Sequence, residues 1–337
     1  MTEGELDELL STPRAETVNA LRARPGDVVV LGAGGKMGPT VARMAARAAH
    51  LVGDGRRVYA VSRFSSADAR ASLGASGVET IACDLLDRKA VAMLPDAPNV
   101  IFMAGQKFGT SAAPSTTWAM NTIVPAICAE RYGAASIVAF STGNVYPLTR
   151  VASGGARETD PIGPVGEYAT SALGRERVLE FYSGRYHTLM AILRLNYAID
   201  LRYGVLVDIA LRVWRDQPVP LAMGHVNVIW QGDACRIAIE ALAQTASPPF
   251  VVNITGSGTA SVRALAAVFG RIFGKAIRFQ GSERTKALLS NTELMRATFS
   301  APEIELETMI GWVASWIREG GRLLGKPTHF EERTGTF

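Results

Sequence analysis

An α/β fold built on a doubly wound parallel sheet is what this sequence predicts, on two observations. Short apolar runs without polar alternation recur from Val28 to Leu193, and segments of helical length and spacing lie between them. Such runs suit parallel strands covered on both faces by helices, and their alternation with helices is the doubly wound pattern. The first run leads into a glycine-rich turn, Gly32-Ala33-Gly34-Gly35-Lys36-Met37-Gly38. Glycines at a strand-to-helix turn let the backbone approach a pyrophosphate. The following helix N-terminus offers free N–H groups and a positive dipole end to the same anion. A Rossmann-type dinucleotide site is therefore expected at this turn.

Residues 1–26 hold two short amphipathic stretches, Leu6 to Leu10 and Val18 to Leu21, before Pro25-Gly26 announces the first strand. They predict a helical extension packed on the domain, with no chemistry of its own. Strands are expected at Val28–Leu31, Val58–Val61, Val78–Ala82, Val100–Ala104, Ile137–Phe140 and Leu189–Leu193, and helices at Met37–His50, Pro114–Tyr132 and Glu167–Ser183. After Arg194 the chain becomes richer in Trp, Arg, Pro and His, while Phe250–Ile254 reads as one more strand of the main sheet. The expected division is an N-terminal helical extension over 1–26 and a dinucleotide-binding domain over 27–194 plus about 225–260. A smaller, mainly C-terminal substrate lobe takes 195–224 and 261–337.

Composition is that of an ordinary globular chain, 48% hydrophobic and 20% charged. The net charge of +4 is spread along the chain, leaving no footprint for nucleic acid. No segment has the apolar length of a membrane span, and the acidic N-terminus lacks a signal-peptide pattern. Cys83, Cys128 and Cys235 are odd in number and far apart, which fits reduced thiols in the cytoplasm. The four histidines show no metal-ligand spacing. The expected cofactor is organic.

Gly32, Gly35 and Gly38 give the spacing GxxGxxG. Asp84-Leu85 follows the third strand, Ala104-Gly105-Gln106-Lys107 the fourth, and Asn121 lies on the next helix. Phe140-Ser141-Thr142-Gly143-Asn144-Val145-Tyr146 comes next, then Glu158, Asp160, Pro161, Pro164 and Tyr168. In this order the motifs resemble the extended short-chain dehydrogenase/reductases, the NAD(P)-dependent sugar epimerase/dehydratase family, from about Asp27 to at least Gly320. The resemblance implies cofactor contacts at Gly32, Gly35, Lys36, Met37, Gly38, Asp84, Leu85, Ala104, Gly105, Lys107 and Tyr168. It also implies an active-site role for Asn121, and a homodimer formed through the helices Pro114–Tyr132 and Glu167–Ser183.

The second strand speaks to the nucleotide. An acid at this strand end accepts the ribose hydroxyls of NAD, whereas here the strand ends Val61-Ser62-Arg63. Ser62 can donate to a 2′-phosphate, Arg63 can clamp it with a planar fork, and Lys36 is expected as a second cation nearby. NADP(H) is therefore favoured over NAD(H).

The resemblance implies a Tyr as acid/base, a Ser or Thr hydrogen-bonding the reacting oxygen, and a Lys four residues after the Tyr. Tyr168 and Thr142 fit the first two roles, but the lysine position is Ala172. A free Tyr has a pKa of about 10 and needs help to act as a base near neutrality. Arg175, seven residues on, is expected to lie too far away, so Lys107 or the oxidised cofactor is expected to support Tyr168. Substrate contacts are expected from Thr142, Asn144, Asn196, Arg202 and Trp230, with Tyr203, His225, Asn227 and Gln231 in the capping region. These side chains suit a polyol or sugar acid. Asp233 is expected to cap the helix that begins there, and Trp312 and Trp316 to pack in the core.

The first reading is an enzyme that oxidises, reduces or epimerises a carbinol centre of a sugar or sugar-derived acid. Two others stay open: a nucleotide-binding sensor or partner protein with a degenerate site, and a non-redox lyase or dehydratase on the same scaffold.

Overall fold

The computed structural model describes residues 1–326 and 328–336; residues 327 and 337 of the expected lobe lie outside these. Its centre is the expected parallel sheet. Strands β1 (Val28–Leu31), β2 (Val58–Ser62), β3 (Glu79–Ala82), β4 (Asn99–Phe102), β5 (Ser136–Thr142), β6 (Met190–Leu195) and β7 (Phe250–Ile254) run in the order β7-β6-β5-β4-β1-β2-β3. The order reverses between β1 and β4, which opens a ligand crevice at their carboxyl ends.

Val28 and Val30 of β1 point to one face, and Val29 and Leu31 to the other. This period of two lets a four-residue apolar run serve two cores. The N-terminal extension is two helices, α1 (Glu3–Ser11) and α2 (Ala15–Ala23), separated at Thr12-Pro13-Arg14. Thr2 and Glu5 form a capping box at the start of α1. On one face of the sheet lie α2, α3 (Gly38–Val52) and α10 (Gln231–Glu240). Short α4 (Ala67–Gly74) lies against β3, while Val91 of α5 (Arg88–Ala92) joins the core on the opposite face. The other face carries α6 (Pro114–Trp118), α7 (Val124–Arg131) and the long α8 (Gly166–Tyr186). A π-helical turn over Ala119–Ile123 joins α6 to α7.

The run at Val78–Ala82 departs from expectation. As the sheet's edge, β3 has Glu79 and Ala82 exposed, so helices do not cover both its faces.

A second core gathers α9 (Val205–Trp214), α11 (Val262–Phe273) and α12 (Leu306–Arg318) around Phe269, Trp230 and Trp316. Trp312 stands edge-on to Trp230 with ring centroids 5.3 Å apart. Leu6 and Leu10 of α1 enter this core, while Val18 and Leu21 of α2 enter the sheet core. The extension thus ties the two together. Asp233 does not cap α10, which already begins at Gln231. It accepts the N–H groups of Glu303 (3.0 Å) and Ile304 (3.2 Å), fastening that loop instead. Among the described residues no helix is long and apolar enough to cross a membrane.

Candidate active site

Two cavities meet the carboxyl ends of the strands. The first, about 410 Å³, is lined by Gly32, Gly34, Gly35, Ser62, Arg63, Asp84, Leu85, Ala104 and Gly105 among others. Gly32 has φ +87°, and a Cβ there would meet the backbone N of Ala104 at 2.6 Å. A Cβ on Gly38 would meet the Ala33 carbonyl oxygen at 2.4 Å, so that glycine lets α3 close on the turn. Gly35 faces mostly open space, its hypothetical Cβ meeting only the Gly32 carbonyl oxygen at 3.5 Å. The turn is therefore tight below and bare above, which fits a dinucleotide pyrophosphate at the α3 N-terminus. Arg63 is exposed beside Ser62 at the end of β2. The Asp84 carboxylate accepts the N–H of Leu86 (3.0 Å), and Leu85 is buried.

The second cavity, about 200 Å³, lies at the ends of β5 and β6 and is lined by Lys36, Met37, Lys107, Ser141, Thr142, Asn144, Tyr168, Asn196, Tyr203 and Thr328 among others. Thr142 ends β5, and Tyr168 sits in the first turn of α8. The Thr142 oxygen accepts the backbone N–H (3.2 Å) and the side-chain amide (3.0 Å) of Asn144. Its own O–H hydrogen-bonds Tyr168. Burial raises the Tyr168 hydroxyl above its ordinary pKa, while this hydrogen bond and the Arg175 charge oppose the rise.

Arg175 corrects an expectation. Helical side chains lean toward the helix N-terminus, so its long side chain runs back toward the level of Tyr168. The buried guanidinium donates to the Phe140 carbonyl (2.8 Å) and to Asn121 Oδ1. Gly105 makes room for it, since a Cβ there would stand 2.1 Å from Nη2. The Arg175 charge thus reaches Tyr168 although the lysine position is the fully buried Ala172. Lys107 Nζ is 5.6 Å from the Tyr168 ring centroid, and burial draws its pKa down to about 8.

Four further residues sit differently from expectation. Asn121, turned inward by the π-helical turn, donates to the Gln106 carbonyl (3.0 Å) and Ser171 Oγ (2.9 Å) and accepts the Gln106 N–H (3.0 Å). With Arg175 on the same oxygen, its amide is used to shape the loop and does not reach the cavity. Trp230 is 2% exposed in the second core, and its neighbour Gln231 lines the cavity instead. Arg202 is drawn away by Asp200 (2.7 Å) and Asp7 (3.0 Å), an ion-pair set that includes the N-terminal extension. Lys36 does not line the cavity that Arg63 lines. Its amine lies 3.2 Å from the Tyr203 ring centroid and 4.5 Å from that of Phe108, inside the second cavity. Asn144 and Asn196 do line that cavity, Asn196 donating to the Leu288 carbonyl at 3.3 Å.

Sequence reasoning missed Thr328 altogether, and no local pattern marks it. The Lys36 placement had one usable signal, a cation inside a glycine turn that directs its side chains toward bound ligands.

A glycine turn under a cavity of about 410 Å³, with a Thr–Tyr hydroxyl pair at the neighbouring strand end, defines a nucleotide-dependent enzyme of the short-chain dehydrogenase type. The sequence profile of the NAD dependent epimerase/dehydratase family matches residues 28–198, and the chain belongs to that family. No curated protein sequence matches it. Its fold resembles UDP-glucose 4-epimerase from Thermotoga maritima, solved with UDP-glucose, at TM-score 0.72 and 18% identity over 87% of this chain and 99% of that one. A dTDP-glucose 4,6-dehydratase from Streptomyces venezuelae, solved with NAD bound, aligns at TM-score 0.72 and 19% identity over 87% and 97%. A mutant Bacillus cereus UDP-glucuronic acid 4-epimerase, solved with UDP-4-deoxy-4-fluoro-glucuronic acid and NAD, gives 0.72 and 18% over 87% and 99%.

Proposed function

We propose that this chain is an oxidoreductase or epimerase acting on a hydroxyl or keto centre of a sugar or sugar-derived acid, with NADP(H) preferred over NAD(H). The observation that carries this reading is the hydrogen-bonded Thr142–Tyr168 pair facing a small cavity beside the glycine turn. Gly32, Gly35, Gly38, Asp84, Leu85, Ala104 and Gly105 would hold the dinucleotide. When bound, it supplies the hydride acceptor or donor. Tyr168 takes or returns the proton of the reacting hydroxyl, Thr142 orients that oxygen, and Asn144 fixes the Thr142 rotamer. Arg175 favours the tyrosinate electrostatically, the task that the family's Lys would perform at Ala172.

Ser62 and Arg63 at the end of β2, with no acid beside them, favour a 2′-phosphate. Titration calorimetry is expected to show NADPH binding tighter than NADH. An Arg63→Ala change should weaken NADPH about tenfold and leave NADH nearly unchanged. Tighter NADH binding would reverse the preference; no binding of either nucleotide would remove the oxidoreductase reading. The buried Ala172 favours a second reading, a nucleotide binder without turnover. A substrate-dependent change in nicotinamide absorbance separates the two.

A homodimer is also proposed. Ile123 and Phe181, beside and on α8, are 48% and 58% exposed, and Tyr186 adds apolar surface to the same region. Light scattering is expected to give a dimeric mass that Ile123→Asp with Phe181→Asp lowers to the monomer; a monomeric wild type would refute it. The three buried free thiols suit a reducing cytoplasm.

A further inference from the structure

Resting on the oxidoreductase reading above, we infer that the second cavity takes a small free hydroxy acid, a monosaccharide-sized polyol whose carboxylate is bound by Lys36 and Lys107, and not a nucleotide-linked sugar.

Charge is the first support. Two lysine amines line this cavity and, among the described residues, no Asp or Glu does. Among the described residues, no carboxylate lies within ion-pair distance of Lys36. The faces of Tyr203 and Phe108 hold its amine by their ring quadrupoles, which attract a cation without neutralising it. A desolvated ammonium of this kind favours an incoming anion.

Size is the second. At about 200 Å³ the cavity is smaller than the roughly 300–1,000 Å³ of sites for drug-sized ligands. A nucleoside diphosphate sugar would need a long extension of it. Chain from residues 328–335 packs against this part of the molecule. Thr328 lines the cavity and is fastened by its N–H to Asp208 (2.7 Å). His329 meets Phe108 at 6.2 Å between ring centroids, bringing the tail onto the loop that carries Lys107. Gly335 packs on Gly166 so closely that a Cβ on Gly166 would meet the Gly335 carbonyl oxygen at 2.3 Å, two residues before Tyr168.

Polar chemistry is the third. The hydroxyls and amides of Ser141, Thr142, Asn144, Asn196, Tyr203 and Gln231 suit several substrate hydroxyls. Burial, with the charges of Lys107 and Lys326, draws Lys36 down to about 7, against the opposing Asp208 on α9. Burial also draws Lys107 down to about 8, so both amines can gain charge as an anion enters.

Calorimetry on the whole protein tests this, with and without saturating NADP⁺ or NAD⁺. The probes are D-glucuronate, D-galacturonate, D-gluconate and D-galactonate against D-glucose, D-glucose 6-phosphate and UDP-glucose. At least one acid should bind about tenfold tighter than glucose, and Lys36→Met should weaken it about tenfold with dinucleotide affinity within about twofold. Lys36→Arg should restore part of the loss, which a variant that merely misfolds would not permit. In wild type at pH 8, acid binding should take up protons, read from buffers of different ionisation heat. Glucose binding as well as the acids, tighter binding of UDP-glucose or glucose 6-phosphate, or no acid binding to protein that binds dinucleotide would each overturn the inference. So would an equal loss of dinucleotide affinity in Lys36→Met, which would assign Lys36 to the pyrophosphate. Failure of the oxidoreductase reading shows separately, as absence of dinucleotide binding in the same titrations; acid binding without nucleotide then decides the cavity's ligand alone.

Discussion

Tyr168→Phe is expected to lower turnover about 10²–10⁴-fold, the usual worth of a positioned acid/base, with dinucleotide affinity nearly retained. Steady-state kinetics beside calorimetry check both halves. The same tyrosine sets the pH profile. Burial raises its pKa, and the Arg175 charge opposes that rise. The base form therefore accumulates only as pH climbs, and removing the cation moves that point further up. Arg175→Met should shift the rising limb of the rate profile to higher pH, while Arg175→Lys should restore it in part. An unshifted limb with lower rate throughout would make Arg175 a packing residue only.

The largest effect on stability is expected at Glu176, which is fully buried on α8. Its carboxylate pairs with Arg194 of β6 at 2.7 Å and accepts from Ser141 Oγ of β5. Arg194 also donates to the Tyr146 hydroxyl at 2.6 Å, and Tyr146 in turn donates to Asn253 of β7 at 2.9 Å. Glu176→Ala would leave the guanidinium buried without its counter-charge, a loss of about 3–5 kcal/mol readable by urea unfolding. Replacing the pair together, Glu176→Leu with Arg194→Met, should recover much of that loss, because no buried charge is then left alone. A double variant no better than Glu176→Ala would place the stabilisation in the Tyr146–Asn253 connections instead.

The site was legible where chemistry depends on backbone position. The family resemblance named Thr142 and Tyr168, and their places at a strand end and in a first helical turn bring them together. Placements that depend on long side chains were not legible. Seven residues of spacing put Arg175 too far from Tyr168 along the helix axis, yet its side chain leans back and enters the space left by Gly105. Trp230 and Arg202 had the right residue types in the right region. One was taken by the second core, and the other by two carboxylates, one of them on α1.

The sequence by itself determined the sheet, the glycine turn and the family, because a four-residue apolar run and a GxxGxxG spacing act within one or two turns of chain. Only the tertiary structure decided which charges face the reacting centre. Lys36 is held by rings from residues 108 and 203, and Thr328 is brought from the far end of the chain. Their meeting depends on how two cores pack, and long-range packing leaves no periodic trace in the residues that meet.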